Sequence, residues 1–294
     1  MSGSLLLAPT REELAAALAP YRRSGAEVGV VTTMGALHEG HARLLGVARE
    51  RVGEGPLVAT IFVNPLQFGA GEDLERYPRT LESDLALCER EGVDVVFAPA
   101  VHEVYPGGDP VVTVDAGPLG DELEGESRPG HFRGVLTVVA KLFGLVRPDV
   151  AVFGQKDYQQ LVLVERMARD LCLGVEVVGA ETVRGADGLA LSSRNRFLSA
   201  AQRDQATVLN RALRAAQDRA AHGLPAARWA AMRVLDEVPQ TDLDLDYLAI
   251  RTPRLDEVTE LHPREPVPAR ILVAARLGGT RLIDNLPLTL GGTS

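Results

Sequence analysis

The stretch VGVVTTMGALHEGH, residues 28–41, decides the fold of this chain. It opens with a short, mostly apolar run, 28–32, which predicts a buried strand. Gly35 permits the close turn that follows, and a helix is predicted from about residue 41 to 52. A strand, a tight turn and a helix in this order begin a parallel β-α-β unit.

The alternation of strands and helices continues along the first part of the chain. Further buried strands are predicted at 57–63, 93–99, 150–153 and 175–178, and helices at 11–19, 80–91, 131–146 and 157–172. A short strand at 111–114 is also predicted, within a Gly/Pro-rich stretch at 106–130. This order predicts an α/β N-terminal domain, 1–182, with a doubly wound, Rossmann-like parallel sheet and helices on both of its faces.

The pattern changes near residue 182. Ser199 and Gln202 form a capping box that opens a long helix to about residue 222, and another helix is predicted at about 225–237. Three strands are predicted after these helices, at 246–251, 270–277 and 280–286. Helices followed by consecutive strands predict a smaller α+β C-terminal domain, 183–294, which we expect to act as a lid.

Composition limits the classes of function. The chain has 294 residues, of which 46% are hydrophobic and 24% charged, as is usual for globular domains. Its net charge of −9 disfavours non-specific binding to nucleic acid, which needs many Lys and Arg. Two cysteines without a CxxC pattern fit a reducing compartment. With no signal-peptide pattern and no long apolar run, we expect a cytoplasmic protein without a membrane partner.

Two histidines follow the first predicted strand of the sheet. Ligands of open parallel sheets bind at the carboxyl ends of the strands. His41 is the third residue after His38, and both lie near a predicted helix N-terminus, which attracts phosphate. Solvated surface histidines are the ordinary alternative. A zinc site is disfavoured because the spacing is not HExxH and no Cys or third His lies nearby. We interpret the pair as a phosphate-binding element.

Other polar residues follow later strands. Asn64 and Gln67 offer amides that suit hydroxyl and carboxylate groups, although taken alone an Asn-Pro turn with a solvated Gln is the favoured explanation. Asp157 is a plausible helix N-cap, and Lys156 can act as a mobile charge for phosphate or is simply an exposed Lys beside that cap. The hydroxyls and guanidinium of 192–194 can grip phosphate oxygens, with a hydrophilic linker as the alternative.

Several segments together resemble the pantothenate synthetase family, and they occur in that family's order. They are TMGALHEGH (33–41), FVNPLQFG (62–69), GHFRGVLTVVAKLF (130–143), FGQKDYQQL (153–161) and LSSRN (191–195), and TRLIDN (280–285) also fits. The family is similar to other HxGH nucleotidyltransferases in its nucleotide site. The GxxxxGK[ST], GxGxxG and GxSxG motifs of other nucleotide-binding and hydrolase classes are absent.

The resemblance implies an AMP-forming ligase of coenzyme A biosynthesis. ATP and pantoate would form an enzyme-bound pantoyl adenylate and pyrophosphate, and the amine of β-alanine would then displace AMP to give pantothenate. The resemblance also implies Mg²⁺ bound with ATP, and a homodimer. No protein nucleophile is needed, because in-line attack on phosphorus requires mainly positioning and charge neutralisation.

The resemblance also assigns residues to roles. It implies catalytic roles for His38, His41, Lys156, Ser192, Ser193 and Arg194. ATP contacts are implied for the same six residues and for Met34, Gly154, Asp157 and Val183. Pantoate contacts are implied for Met34, Asn64, Gln67, Tyr77, Arg128 and Gln160. Mg²⁺ would be held mainly by phosphate oxygens, with Asp84 as a secondary metal contact.

One departure from the family and three alternatives remain. Thr32 stands where the family usually has proline, which removes a fixed φ but no ligand. Another HxGH-type nucleotidyltransferase would need a basic pocket for an acceptor phosphate. A tRNA synthetase would need an anticodon-binding extension. A non-catalytic nucleotide-binding module could use the same fold.

Overall fold

The computed structural model describes residues 5–68, 74–75 and 77–292. The chain divides into two compact units. The first comprises Met1–Gln155 and Gln160–Glu181, and the second comprises Lys156–Gln159 and Thr182–Ser294. The short segment 156–159, which was predicted in the first domain, is thus grouped with the second unit.

The sheet of the first unit is parallel throughout and has, within the described residues, the strand order β1-β4-β3-β2-β5-β6. Its strands are β1 Leu6–Ala8, β2 Gly29–Thr33, β3 Leu57–Ile61, β4 Val95–Phe97, β5 Val150–Gly154 and β6 Glu176–Ala180. The helices are α1 Arg11–Ser24, α2 Glu39–Val52, α3 Leu81–Arg90, α4 Val101–Val104, α5 Glu124–Ser127, α6 His131–Val146 and α7 Tyr158–Asp170. Short 3₁₀ turns lie at Pro65–Gln67, Pro118–Asp121 and Gln155–Asp157.

Strand β2 lies at the point where the strand order reverses. It pairs with β3 on one side and with β5 on the other. From β2 the chain adds β3 and then β4 in one direction, and it crosses back to add β5 and β6 in the other. Ligands of doubly wound sheets bind beside such a reversal, at the carboxyl ends of the strands. The residues that follow β2, β3 and β5 are therefore the first candidates for a binding site.

Buried aliphatic side chains hold the first unit together. Val30, Val31 and Val58 in the central strands are fully buried, as the apolar runs in the sequence predict. Cys88 of α3 belongs to this core, and burial, followed by the charge of Asp84, raises the pKa of its thiol to about 12. Cys88 is therefore a protonated core residue, while Cys172 is exposed and unpaired.

The predicted secondary structure differs from the structure at three places. Residues 111–114 form no strand: Val111 and Val112 lie in an exposed bend, because β propensity alone does not provide a pairing partner. Strand β1, which was not predicted, is only three residues long and is defined by its pairing with β4. Helix α1 continues through Pro20 to Ser24, where Gly25 in the left-handed conformation ends it.

The second unit confirms the predicted smaller α+β part of the fold. Its helices are α8 Ala200–Arg219 and α9 Leu224–Leu235, with 3₁₀ turns at Ser193–Phe197 and Ala220–His222. Its strands are β7 Leu243–Arg251, β8 Val267–Leu277 and β9 Thr280–Leu290, which pair antiparallel in that order. The capping box of Ser199 and Gln202 opens α8 as predicted. Buried side chains of α8, α9 and the sheet form one core.

No helix in the described part of the chain is long and apolar enough to cross a membrane.

Candidate active site

The predicted site residues are distributed over the two units, and each set is described by itself. The first unit contains Met34, His38, His41, Asn64, Gln67, Tyr77, Asp84, Arg128, Gly154 and Gln160. The second contains Lys156, Asp157, Val183, Ser192, Ser193 and Arg194.

The turn after β2 has a left-handed backbone that a buried carboxylate holds. Gly35 has φ +85° and Ala36 has φ 52°, a conformation that costs a residue with a side chain about 1 kcal/mol. Asp84, which is 1% exposed, accepts hydrogen bonds from the backbone N–H of Ala36 (3.0 Å, to Oδ2) and Leu37 (2.8 Å, to Oδ1). Hydrogen bonds to a carboxylate contribute about 1.5–3 kcal/mol each, so this pair offsets the cost of the turn.

Both carboxylate oxygens of Asp84 are engaged in hydrogen bonds within the protein. Both of its oxygens accept backbone N–H groups, and Oδ1 also accepts the hydroxyl of Thr80 at 3.2 Å. Within the described ranges of the chain, no group of three or more His, Cys, Asp or Glu side chains is arranged to hold a metal ion. In this structure Asp84 positions the turn, and its expected metal contact stays a prediction.

His38 and His41 are locked in one orientation at the start of α2. The Nδ1 of His38 accepts the backbone N–H of Gly40 at 3.1 Å, and the Nδ1 of His41 accepts that of His38 at 3.2 Å. These bonds form a reciprocal capping box, and the ring centroids are 4.2 Å apart. Because each Nδ1 is an acceptor, the ring hydrogen of each imidazole is on Nε2. Both rings are thus Nε2–H donors at the positive end of a helix.

Asn64 supports the turn after β3 from inside the protein. Its side chain has no exposed surface. Its Oδ1 accepts the hydroxyl of Tyr105 at 2.8 Å and the N–H of Leu66 at 3.3 Å, while its Nδ2 donates to the carbonyl of Gly134 at 3.2 Å. Burial, followed by the charge of Asp109, raises the pKa of Tyr105, so its hydroxyl remains a donor. Asn64 thus positions the turn after β3, and its expected pantoate contact stays a prediction.

Arg128 and the first turn of helix α6 fix the backbone of Gln67. The carbonyl of Gln67 accepts from Nη2 of Arg128 at 3.2 Å and from Nδ1 of His131 at 3.0 Å. Nη1 of Arg128 lies 2.9 Å from Nε2 of His131, which must accept because Nδ1 carries the hydrogen. A Cβ on Gly134 would lie 2.0 Å from the carbonyl oxygen of Leu66, so only glycine lets the helix approach this closely.

The remaining predicted residues of the first unit have partly exposed side chains or backbone. Tyr77 makes an edge-to-face contact with Phe68, with ring centroids 6.0 Å apart. Met34, Gly154 and Gln160 are partly buried, and so is Gln67. These residues therefore have surface that a ligand can contact, unlike Asn64.

In the second unit, Lys156 lies in the 3₁₀ turn that precedes α7. Its side chain is 17% exposed, and its Nζ is 3.8 Å from Oδ2 of the exposed Asp157. This separation is that of a weak ion pair, so the ammonium group keeps its capacity to bind an anion. The carbonyl of Lys156 accepts Nδ2 of Asn285 at 2.9 Å, which fixes its backbone.

The segment 192–194 emerges from a short hairpin. The N–H of Leu191 donates to the carbonyl of Val183 at 2.9 Å, and Arg184 is bridged to Ala190. Oγ of Ser192 accepts the N–H of Arg194 at 3.3 Å and caps the 3₁₀ turn Ser193–Phe197. The side chain of Arg194 is exposed. The expected ATP contact of Val183 thus lies directly across the hairpin from the residue that precedes Ser192.

Sequence reasoning missed the residues that act through others. They are Tyr105, His131, Asp284 and Asn285, together with the positioning roles of Asp84 and Asn64. Their signal in the sequence was weak, because each bonds to a group that lies far away along the chain. The GHFRG segment (130–134) and the TRLIDN segment were noted only for their resemblance to the family.

The doubly wound sheet has the HxGH sequence, His38 to His41, directly after β2, where the strand order reverses. These two features define an α/β protein of the HxGH nucleotidyltransferase class. A family model described as pantoate-beta-alanine ligase matches residues 7–287. A pantothenate synthetase from a Nocardioides species is 66% identical, over 99% of this chain and 87% of that protein. One from Streptomyces avermitilis is 50% identical, over 97% and 98%.

Solved structures agree with the sequence relatives. The crystal structure of pantothenate synthetase from Thermus thermophilus is 50% identical, with a TM-score of 0.87, covering 96% of this chain and 98% of that one. Pantoate-beta-alanine ligase from Francisella tularensis, complexed with beta-gamma ATP and beta-alanine, is 31% identical, with a TM-score of 0.76 and coverage of 96% and 97%. The chain therefore belongs to the pantoate-beta-alanine ligase family, and it is an enzyme. The alternative readings of the sequence are not favoured.

Replacing the carboxylate of Asp84 tests its positioning role. In Asp84→Asn one backbone N–H of the turn faces an amide NH₂, so we expect a loss of about 1–3 kcal/mol in the free energy of unfolding. Because the turn carries His38, we expect kcat to fall by about tenfold to a hundredfold. Denaturant unfolding and steady-state kinetics measure the two effects.

Glu82→Gln is the matched control, since Glu82 is an exposed acid in the same first turn of α3. It should leave both quantities near those of the unsubstituted protein. In Asp84→Asn, the Mg²⁺ concentration for half-maximal rate should stay within about twofold. A shift of about tenfold or more in that concentration would instead assign a metal contact to Asp84.

Proposed function

We propose that this chain condenses pantoate with β-alanine through an enzyme-bound pantoyl adenylate, using MgATP and releasing AMP and pyrophosphate. The observation that carries the proposal is the pair of Nε2–H imidazoles of His38 and His41, fixed by their Nδ1 bonds at the start of α2. The relative from Francisella tularensis, complexed with beta-gamma ATP and beta-alanine, supports the choice of two of the substrates.

The first step is attack of a pantoate carboxylate oxygen on the α-phosphorus of ATP. A new P–O bond forms as the bond to the pyrophosphate oxygen breaks, and negative charge develops on the transferring and leaving groups. The Nε2–H groups of His38 and His41 are proposed to donate to these oxygens, and Lys156 and the segment 192–194 to neutralise the phosphate charge. Met34, Gly154, Asp157 and Val183 are proposed to contact the rest of the nucleotide.

We propose that Mg²⁺ enters as part of the MgATP substrate. The part of the chain that the structure describes holds no cluster of acidic or histidine side chains suited to a metal ion. Mg²⁺ keeps several waters and binds readily to substrate phosphates, so a dedicated set of protein ligands is not required.

Pantoate is proposed to be oriented by amides. Gln67 and Gln160 each offer a donor and an acceptor, which suits a molecule with hydroxyl and carboxylate groups. Both side chains are partly buried, and the backbone of Gln67 is held by Arg128 and His131. Tyr77 is proposed to line the same cavity. Gln67 has the strongest support, because two side chains, those of Arg128 and His131, hold its backbone carbonyl.

The second step is attack of the neutral amine of β-alanine on the acyl carbon of the adenylate. The C–N bond forms as the C–O bond to AMP breaks, and the proton that the amine loses passes to solvent water. Direct attack of the amine on free pantoate would have to expel an oxide ion from the carboxylate. AMP is a far better leaving group, and the first step is needed for that reason. No side chain has to form a covalent intermediate with the substrate.

We also propose a homodimer in a reducing, cytoplasmic compartment. The sheet has a partly exposed edge at β6, where Val177 and Val178 are not fully buried, and Leu171 nearby is 53% exposed. Exposed apolar surface of this kind suits contact with a second copy. The exposed, unpaired thiol of Cys172 suits a compartment in which thiols stay reduced.

The reaction is tested by incubating the purified protein with MgATP and pantoate, with and without β-alanine. We expect pantoate-dependent exchange of labelled pyrophosphate into ATP, and sustained AMP release only when both acids are present. Pyrophosphate release that does not depend on pantoate, or no release at all, would contradict the proposed reaction.

Substitution of His41 tests the charge-stabilising pair. In His41→Ala the Nε2–H donor and the bond to the His38 N–H are both lost, so we expect adenylate formation to fall by about a hundredfold or more. Single-turnover formation of AMP measures this step. His102→Ala is the control, since His102 is an exposed histidine of α4, and it should behave like the unsubstituted protein. Near-normal turnover of His41→Ala would remove His41 from the mechanism.

Substitution of Gln67 tests the pantoate contact. In Gln67→Ala the amide is lost while the backbone bonds to Arg128 and His131 remain, so we expect the KM for pantoate to rise about tenfold, with the KM for ATP little changed. Initial rates at varied pantoate and varied ATP give both values. Gln240→Ala, at an exposed glutamine, is the control. An equal rise in both KM values would count against a specific contact with pantoate.

A further inference from the structure

The TRLIDN segment, 280–285, lies in β9 and has two buried polar residues at its end. Asp284 is 4% exposed and Asn285 is 3% exposed. A polar side chain in this setting has a cost unless its hydrogen bonds are made within the protein. The partners of these two residues therefore indicate why polar groups stand in a strand that is otherwise largely apolar.

Asn285 is bonded to the turn that carries Lys156. Its Nδ2 donates to the carbonyl of Lys156 at 2.9 Å. Its Oδ1 accepts Nη1 of Arg270 at 2.5 Å, so the amide cannot rotate without losing both bonds. The guanidinium carbon of Arg270 lies 3.7 Å from the ring centroid of Tyr158, two residues after Lys156. The turn is thus held through the backbone of Lys156 and through the neighbouring aromatic ring.

Asp284 is bonded to the hairpin that leads to Ser192. Its carboxylate forms a two-pronged pair with Arg184, at 2.6 Å from Oδ2 to Nη1 and 2.8 Å from Oδ1 to Nη2. Nη1 of Arg184 also donates to the carbonyl of Gly188 at 3.2 Å, inside the hairpin loop. A buried, bidentate pair of this kind fixes orientation as well as position. The hairpin backbone at Val183 is in turn paired with Leu191, which precedes Ser192.

We infer that Asp284 and Asn285 are positioning residues that hold the two phosphate-binding segments of the second unit, the turn with Lys156 and the segment 192–194, on one strand. These two adjacent residues of β9 thus set where the ammonium group of Lys156 lies relative to the segment 192–194, which carries two hydroxyls and a guanidinium. This inference rests on the proposed function, because that proposal gives Lys156 and the segment 192–194 their phosphate contacts.

The central test is Asn285→Asp, with the unsubstituted protein and Leu288→Ala beside it. The aspartate keeps an oxygen for Arg270 but places a second oxygen against the Lys156 carbonyl. Leu288 is a buried core residue of the same strand without a bond to either segment, so its truncation reports simple destabilisation. Asp284→Asn tests the hairpin in the same way. All variants are assayed well below their unfolding temperatures.

We expect Asn285→Asp to raise the KM for MgATP about tenfold while the KM for pantoate stays within about twofold. Leu288→Ala should lower the unfolding temperature without changing either KM. An unchanged KM for MgATP in Asn285→Asp would overturn the inference. The inference would also be overturned if Asn285→Asp raised the KM for MgATP and the KM for pantoate equally and Leu288→Ala did the same.

A double-mutant cycle with Lys156→Ala shows whether Asn285 acts through Lys156. The affinity for MgATP is measured by calorimetry, which does not depend on turnover. Asn285→Asp should weaken binding about tenfold in the unsubstituted background and less than about twofold when Lys156 is already alanine. Equal effects in both backgrounds would overturn the assignment. If the unsubstituted protein binds MgATP but exchanges no pyrophosphate, the proposed reaction fails, while the cycle still decides the positioning role.

Discussion

The carboxylate of Asp84 holds the turn on which the candidate nucleotide site depends. The turn leaves β2 with a left-handed alanine, a conformation that an alanine does not adopt without compensation. Two backbone N–H groups are aimed at one buried carboxylate, which compensates for the strain and fixes the direction in which α2 starts. Since His38 caps that helix, the orientation of both imidazoles follows from an acid more than forty residues away along the chain.

The same principle recurs at the other candidate elements. Tyr105 and Asn64 hold the turn before Gln67, and Arg128 and His131 hold the carbonyl of Gln67 itself. In the second unit, Asn285 holds the carbonyl of Lys156. In each case a side chain, that of Asn64, Arg128, His131 or Asn285, bonds to the backbone of the candidate segment. Backbone groups held in this way cannot drift, which is what catalysis by positioning requires.

The sequence predicted the sheet well and its supporting bonds poorly, for physical reasons. Apolar runs in a sequence indicate burial directly, so the central strands, and with them the turn that follows β2, could be predicted. The three-residue β1 has almost no pattern of its own and exists through its pairing with β4, while the β-prone residues 111–114 have no such partner. Asn64, predicted to touch pantoate, is buried, because its partners at Tyr105 and Gly134 are 41 and 70 residues away along the chain.

The acidic composition does not conflict with an anionic substrate. Negative charges of the protein that lie more than about 8 Å from a bound phosphate are largely screened at physiological ionic strength. The net charge of −9 therefore repels a phosphate that has reached the site only weakly. Nearby donors act more strongly, and the candidates here are the imidazoles at the N-terminus of α2 and the ammonium group of Lys156, which lies 3.8 Å from Oδ2 of Asp157. A chain that binds one small anion needs a few such donors in fixed places, whereas a chain that binds a polyanion needs many along its surface. The net charge therefore disfavours the second kind of partner without bearing on the first, for which the local geometry decides.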